Sequence, residues 1–320
     1  MAGRLRLDPY ILALMGMVLL ASLAPIHGQT AAAFSLFTKG AIALLFFLHG
    51  AKLSRAAVIA GVTQWRLHLV VLAVTFGAFP LLGLAAQHLP DAILPRSLAP
   101  GLLLLCCLPS TVQSSIAFTS VARGNVAAAV CAASASNLFG ILITPVLVTL
   151  TLGVHGASNM LGQVGAVVVQ LLLPFIAGQV ARPWLAGWIG RRARLVGLVD
   201  RGSIVLVVYG AFSAAVADGL WSKVTASQLV FLIAVCTVLL GLVLIITRAT
   251  ARALGFNTAD EIVLVFCGSK KSLASGIPMA SILFTPAAVG LMVLPLMVFH
   301  QIQLMACAYI AQRYGARAEA

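Results

Sequence analysis

The sequence predicts an all-α integral membrane protein with ten transmembrane helices in two inverted five-helix repeats, whose fourth and ninth helices are broken. Three observations favour this class: the composition, a series of ten apolar runs, and an internal repeat. Of the 320 residues, 62% are hydrophobic and 8% are charged, whereas about a quarter of a soluble domain is charged. Because each crossing needs about 20 apolar residues, the chain has room for ten crossings but not for a large extramembrane domain.

The ten predicted spans are apolar runs bounded by charged residues, glycines and prolines. They lie near residues 10–25, 33–51, 67–87, 97–121, 126–152, 161–181, 203–217, 226–247, 261–284 and 287–312. The first run follows Arg4 and Arg6, as a signal peptide would, but Pro25 stands where cleavage would fall. We therefore interpret it as a retained first helix.

The basic residues indicate the orientation, because Lys and Arg are enriched in cytoplasmic loops. With the N-terminus inside, 15 of the 20 basic residues fall on the cytoplasmic side and three, Lys39, Arg96 and Lys223, on the outer side. This asymmetry predicts a multi-pass protein of the cytoplasmic (inner) membrane with both termini in the cytoplasm. It also explains the net charge of +13 without a nucleic-acid partner.

Two segments half a chain apart are similar to each other. Ser110–Ala117 aligns with Lys271–Pro278 at an offset of 161 residues, and the same offset pairs Cys106 with Cys267. Each half holds five spans, an odd number, so the second half must be inverted relative to the first. The single membrane domain then divides into repeats at about residues 8–153 and 160–313.

Both similar segments interrupt an apolar span with polar residues. Unwound backbone at membrane depth must be buried in protein or line an aqueous cavity, and paired interruptions indicate a transport site near the midplane. The alternative is a pair of kinked helices whose hydroxyls bond their own backbone. The candidate binding residues at the two interruptions are Pro109, Ser110, Thr111, Gln113, Ser114, Ser115, Ser269, Lys270, Lys271 and Ser272.

The two lysines of the ninth span are the sharpest of these candidates. A lysine at the centre of a bilayer costs about 2.5–3.5 kcal/mol on insertion scales, so at least one of them is expected to face the protein interior. There it could neutralise carbonyl groups at the end of a half-helix as a fixed counter-ion, or bind an anionic substrate. The alternative is that one lysine extends to the membrane surface from a span placed too deep.

Further polar residues lie in the fifth and tenth spans. Ser134 and Asn137 share one helical face and could line a cavity together with the fourth span, although tight packing with interhelical hydrogen bonds also explains small hydroxyl residues. His300 lies inside the tenth span, where a buried histidine serves either in packing or in binding.

No pattern points to an enzyme. All seven carboxylates fall at predicted span ends or in loops, which leaves no deep acidic residue for a proton pump or an aspartyl membrane protease. The six cysteines lie in apolar stretches without metal-ligand spacing. No nucleotide-binding loop or HExxH pair is present, and no cofactor is expected.

Four motifs are distinctive: Leu45–Gly50, Leu108–Ser115, Ala122–Asn125 and Gly268–Leu273. Together they resemble the bile acid:sodium symporter family, most closely its bacterial sodium–bile-acid-symporter-like branch. The resemblance covers nearly the whole chain. It implies a panel of helices one, two, six and seven, a core of helices three to five and eight to ten in which the broken helices cross, and transport by alternating access.

The resemblance is weakest at the sodium sites. Sodium-coupled relatives place a glutamate and a Gln-Asn pair along the ninth helix, and the matching residues here are Val265, Ser269 and Lys270. Sodium prefers oxygen ligands and is repelled by an ammonium group. A residual sodium site at Ser114, Ser115 and Ser269 is the remaining candidate, and sodium coupling stays open.

The sequence therefore predicts a secondary-active transporter of a small organic, anionic solute, in which Lys270 and Lys271 supply positive charge in place of sodium. The partners implied are that solute and the lipid bilayer, with the oligomeric state undetermined. The alternative is a regulatory membrane protein that keeps the transporter architecture and affects ion entry without moving solute.

Overall fold

A computed structural model of the chain describes residues 9–26, 28–52, 64–152 and 160–317, and these ranges are helical without any strand. Arg4 and Arg6, and the predicted repeat boundaries at positions 8 and 153, lie outside the described residues. The helices are α1 Pro9–Leu23, α2 Gly28–Lys52, α3 (Trp65–Ala73, a π-helical turn Val74–Ala78, and Phe79–Ala86), α4 Ala99–Cys107, α5 Gln113–Val121, α6 Val126–Leu152, α7 (Met160–Val167, a π-helical turn Val168–Leu172, and Leu173–Arg191), α8 Ala193–Ala217, α9 Leu220–Lys223, α10 Ala226–Ala253, α11 Thr258–Gly268, α12 Leu273–Leu283 and α13 Pro286–Arg317.

The helices confirm the membrane-protein class. Across the described ranges, seven are long and apolar enough to cross a bilayer: α2, α3, α6, part of α7, α8, α10 and α13. The predicted fourth and ninth spans are each divided into two half-helices, α4 with α5 and α11 with α12. Pro109 follows α4, and proline lacks the amide N–H that a continuing helix needs.

The segment between the sixth and seventh predicted spans differs from expectation. It was predicted as a loop over residues 182–202, but α7 continues to Arg191 and α8 begins at Ala193. The arginines there favour helix, and Ile189 and Val196 pack with Leu48 and Ala51 of α2 in a small apolar cluster. Apolar contacts therefore keep this basic segment helical beyond the apolar runs.

Helices α1, α2, α7 and α8 pack against one another. The closest approach is between α2 and α7, where glycines face backbone: a Cβ on Gly50 would lie 2.0 Å from the oxygen of Phe175, and one on Gly178 would lie 1.9 Å from the oxygen of Phe47. Only glycine fits at either position. The remaining long helices surround the half-helices, with α13 packed along α4, α5 and α12.

Candidate functional site

The two breaks meet in the interior of the protein. The amide N–H of Ser272 donates to the oxygen of Pro109 over 2.9 Å, and Ser110 Oγ donates to the oxygen of Cys267 over 2.5 Å. Ser115 Oγ donates to the oxygen of Phe266 over 2.9 Å. The last carbonyls of a helix lack intrahelical partners, so hydroxyls of the first break satisfy the carbonyls that end α11.

Lys271 satisfies the carbonyls at the other helix end. Its fully buried ammonium donates to the oxygens of Cys106 and Leu108, over 2.8 and 2.7 Å, and to the oxygen of Thr75 over 2.8 Å. The first two carbonyls are free because α4 ends there, and the third lies in the π-helical turn of α3. All three ammonium protons are therefore used. Lys271 thus lies at the carbonyl end of the fourth span, where its charge is opposed to the partial negative charge of a half-helix.

Lys270 has a different environment from its neighbour. It is also fully buried, which excludes the alternative that it reaches the membrane surface. Its ammonium lies 4.0 Å from the ring centre of Phe118 and 5.4 Å from that of Phe266. Within the part of the chain that the structure describes, this nitrogen has no hydrogen-bond partner.

Asn137 connects α6 to both breaks. Its amide nitrogen donates to the oxygen of Ser110 over 2.6 Å and to that of Ala133 over 3.0 Å, while its amide oxygen accepts from Ser275 Oγ over 2.6 Å. On the other side, Gln303 of α13 exchanges two hydrogen bonds with the backbone of Lys271, over 2.9 and 3.0 Å. Side-chain amides thus hold the unwound segment from two directions.

Two adjoining cavities, of about 260 and 320 Å³, lie beside the crossing of the breaks. Ligand pockets typically occupy about 300–1,000 Å³, so together they offer room for a small organic solute. Both are lined by the same five residues: His49, Val112, Gln113, Asn137 and Ser275.

The amino ends of two half-helices face the larger cavity. Gln113 and Ser114 begin α5, and Leu273 and Ala274 begin α12. The N-cap residue of α5, Val112, provides no side-chain hydrogen bond, whereas Ser272 Oγ, at the N-cap of α12, accepts from the amide N–H of Ser275 over 3.2 Å. Amino ends carry free N–H groups and partial positive charge, and they bind anions in many proteins. The crossing therefore directs both of these amino ends toward the cavity, while the carbonyl end of α4 meets Lys271.

The opposite wall comes from α2 and α8 and carries charged residues. Lys52 lines the smaller cavity, and Asp200 and Arg201 line the larger one. Lys52 Nζ forms an ion pair with Asp200 Oδ2. Asp200 is only 3% exposed, and its other oxygen, Oδ1, has no hydrogen-bond partner in the described ranges.

Asp200 corrects one expectation from the sequence. The expectation that all carboxylates lie at span ends or in loops is wrong for this residue, because α8 starts ten residues earlier than the predicted span and includes Asp200 as a buried position. The spacing of the residues could have indicated that this helix starts earlier. Helical intervals separate Asp200, Ser203, Ile204 and Val207, and all four are buried.

The predicted site residues divide into two groups. Those that line the cavities are Thr111, Gln113, Ser114, Ser134, Asn137, Ser272 and His300. Those within the crossing are Pro109, Ser110, Ser115, Ser269, Lys270 and Lys271. The set of residues lining these two cavities includes neither Lys270 nor Lys271.

Two of the three hydroxyls of the candidate sodium site share a partner. Thr111 Oγ1 lies 2.8 Å from Ser114 Oγ and 3.0 Å from Ser115 Oγ, and Ser115 Oγ also donates to the α11 carbonyl described above. Ser269 Oγ donates to the oxygen of Val265 in its own helix over 2.6 Å, as the kinked-helix alternative expects.

Comparisons with known proteins give one family. Residues 8–316 match the model of the SBF-like CPA transporter family. The chain is 58% identical to Uncharacterized protein PA2026 of Pseudomonas aeruginosa, over 97% of this chain and 93% of that one. It is 54% identical to Putative symporter YfeH of Escherichia coli, over 98% and 94%, and 27% identical to Sodium/bile acid cotransporter 7 of Rattus norvegicus, over 83% and 79%. These matches confirm the family resemblance drawn from the motifs.

Proposed function

Because the chain belongs to the SBF-like CPA transporter family, we propose that it is a secondary-active transporter that carries a small organic anion by alternating access. The observation that carries the proposal is the pair of half-helix amino ends on one cavity, at Gln113 of α5 and Leu273 of α12. Two partial positive charges converge there on a space of molecular size. Arg201 and Lys52, set against the single carboxylate of Asp200, add positive charge to the wall.

We further propose that transport does not use sodium. Three carbonyl oxygens form the kind of oxygen-lined site that a monovalent cation could take, and the ammonium of Lys271 binds all three. A covalently tethered cation stabilises the crossing permanently, so no free cation is needed to neutralise the carbonyl end of α4. The ammonium of Lys271 thereby neutralises carbonyl oxygens of the protein and does not bind the solute.

The proposed architecture has ten spans in two inverted repeats. We count α4 with α5 and α11 with α12 as one broken span each, and α1 as a short span. Helices α1, α2, α7 and α8, which pack together, form the proposed panel, and the remaining spans form the core. The cavities lie between these two groups and, with Lys52 and Arg201 at their wall, face the cytoplasmic side of the inner membrane.

The alternative, a regulatory protein without solute flux, is not favoured. Two relatives carry the words symporter and cotransporter in their names. The polar groups that α2, α5, α6, α8, α12 and α13 direct to one cavity also support solute binding.

Stabilisation by ligands tests the proposal before any transport assay. The purified protein is heated in sodium or choline buffer, with taurocholate as a bulky anion, p-toluenesulfonate as a small one, and neutral toluene-4-sulfonamide as the matched control. A ligand at 100 times its Kd adds about 2.7 kcal/mol to stability. We expect one of the anions, but not the sulfonamide, to raise the Tm equally in sodium and choline.

Uptake of the stabilising anion into proteoliposomes completes the test. Stabilisation that requires sodium would contradict the sodium-independent mechanism. Failure of both anions to stabilise the protein or to enter vesicles would contradict transport of an organic anion and would support the regulatory alternative.

A further inference from the structure

We infer that Asp200 binds the proton that couples anion transport to a proton gradient, so that the chain is a proton/anion symporter. This inference rests on the proposed function, since it names the coupling ion of the same cavity. It starts from one unusual feature, a buried carboxylate oxygen that has no hydrogen-bond partner among the described residues and belongs to a side chain that lines a cavity.

The two oxygens of Asp200 differ in their surroundings. Oδ2 is paired with Lys52, whereas Oδ1 is buried and accepts no hydrogen bond from the described residues. Buried polar atoms nearly always have a partner, and an unpaired acceptor costs about 1–3 kcal/mol. Because Asp200 lines the larger cavity, a proton that enters this cavity reaches the carboxyl group, whose Oδ1 is itself buried.

Several titratable or charged groups line the two cavities together with Asp200. Lys52 and His49 are on α2, Tyr10 on α1, Arg201 on α8 and His300 on α13. Among these groups, Asp200 is the one whose ionised form carries negative charge at neutral pH. It is therefore the group that directly opposes an anion in the same cavity.

Protonation of Asp200 changes the charge that an anion meets. With Asp200 ionised, its charge offsets that of Lys52, and Arg201 remains. With a proton on Oδ1, neither cation is offset, and Lys52 is released to pair with the anion. Anion binding is thus tighter when the proton is bound, and by reciprocity the proton binds more tightly when the anion is present.

This linkage couples the two movements. The proton and the anion bind together and leave together, because each favours the state that holds the other. One proton taken up by the carboxylate balances one monovalent anion, so the loaded cavity has the same net charge as the empty one. An inward proton gradient would then drive accumulation of the anion.

The test measures anion binding as a function of pH. Taurocholate and p-toluenesulfonate are suitable probes, because a sulfonate stays ionised across the range from pH 5 to pH 8. One linked proton makes binding about tenfold tighter for each pH unit of acidification over the linked range. We expect this slope, and uptake of one proton per bound anion by a pH indicator, in the wild-type protein.

Asp200→Asn is the informative variant, because asparagine resembles the protonated acid. We expect it to bind the anion at every pH with the affinity that the wild type reaches in acid, without proton uptake. In proteoliposomes it should exchange labelled for unlabelled anion but no longer accumulate the anion in response to a pH gradient. A merely structural role for Asp200 would instead weaken binding at every pH.

Two further variants separate Asp200 from its surroundings. Asp218→Asn makes the same change at the exposed end of α8 and should keep the wild-type slope. Lys52→Gln combined with Asp200→Asn removes both charges of the ion pair, so this double variant leaves no unpaired charge and can be used if Asp200→Asn folds poorly. It should also lose the dependence of anion affinity on pH.

The outcomes distinguish this inference from the proposed function. Anion binding whose pH dependence persists in Asp200→Asn, or disappears in His49→Gln or His300→Gln instead, would overturn proton coupling through Asp200 and leave anion transport intact. Failure of both sulfonates to bind would overturn both proposals together.

Discussion

The ammonium of Lys271 lies 2.7 Å from the carbonyl oxygen of Leu108, and this contact joins two breaks that are 163 residues apart in the chain. The same ammonium binds Cys106 and Thr75. Three chain segments, the carbonyl end of α4, the π-helical turn of α3 and the unwound stretch before α12, are therefore connected through one buried nitrogen atom. Its adjacent residue, Lys270, makes no such contact, and the difference between the two lysines leads to opposite predictions.

Replacing Lys271 with methionine should destabilise the protein strongly. The variant keeps the apolar stem but leaves three buried carbonyl oxygens without a donor. Because a hydrogen bond to a charged group is worth about 1.5–3 kcal/mol, we expect a loss of about 3 kcal/mol or more, measured as a lower Tm in detergent. Lys39→Met, at an exposed position of α2, is the matched control. A Tm like that of the control would show that the carbonyls do not depend on the ammonium.

Replacing Lys270 with methionine should have the opposite effect. The contact of the ammonium with the Phe118 ring is worth about 2 kcal/mol when desolvated, but burying a charge without a partner costs several kcal/mol. The cost exceeds the gain, so we expect Lys270→Met to raise stability by about 1 kcal/mol or more. The same thermal assay, run beside Lys271→Met, checks it. A marked fall in Tm would indicate a stabilising role for this ammonium.

The contact between α2 and α7 should not tolerate a methyl group. Gly178→Ala would place Cβ 1.9 Å from the oxygen of Phe47, so the helices must separate, and overpacking of this kind costs about 1–3 kcal/mol or more. Gly187→Ala in the same helix meets no atom within 4 Å and should stabilise the helix by about 0.5–1 kcal/mol. Thermal unfolding of both variants compares them directly, and equal Tm values would contradict the close approach.

Asn137→Asp should weaken anion binding while preserving side-chain shape. The carboxylate cannot donate to Ser110 and Ala133, and it adds negative charge to a cavity proposed to bind an anion. We expect the Kd for the stabilising sulfonate to rise at least about tenfold, or about 1.4 kcal/mol, together with a lower Tm. Thr149→Val, whose hydroxyl bonds its own helix, is the control on α6. Unchanged affinity in Asn137→Asp would remove Asn137 from the binding site.

Much of the molecule could be predicted from local patterns in the sequence. The membrane class followed from composition, and the two interruptions followed from polar residues inside apolar runs. The cost of exposing an ammonium to lipid predicted that at least one of the two lysines faces the protein interior, and the structure buries both. Because Ser134 and Asn137 share a helical face, we expected them to line a cavity together with the fourth span, and both lie at the smaller cavity.

Other parts depended on contacts that no local pattern contains. The helical segment around Arg191 is stabilised by apolar contacts with α2, so it was predicted as a loop, and Asp200 was consequently assigned to the wrong environment. The difference between the contacts of Lys271, which binds three carbonyl oxygens, and those of Lys270, which lies against aromatic rings, was not predictable either. The two residues are adjacent in unwound backbone, where no helical period indicates which direction each side chain takes.

The sequence by itself determined that the chain is a membrane protein, where two apolar spans are interrupted and which family the chain resembles, because hydropathy, proline and motif are properties of neighbouring residues. Only the tertiary structure decided which carbonyls Lys271 binds, and that Asp200 lines the cavity with Oδ1 unpaired within the described ranges. The physical reason is that these contacts join segments more than 140 residues apart, and their geometry is set by the crossing of the breaks and by the packing of α2 and α8.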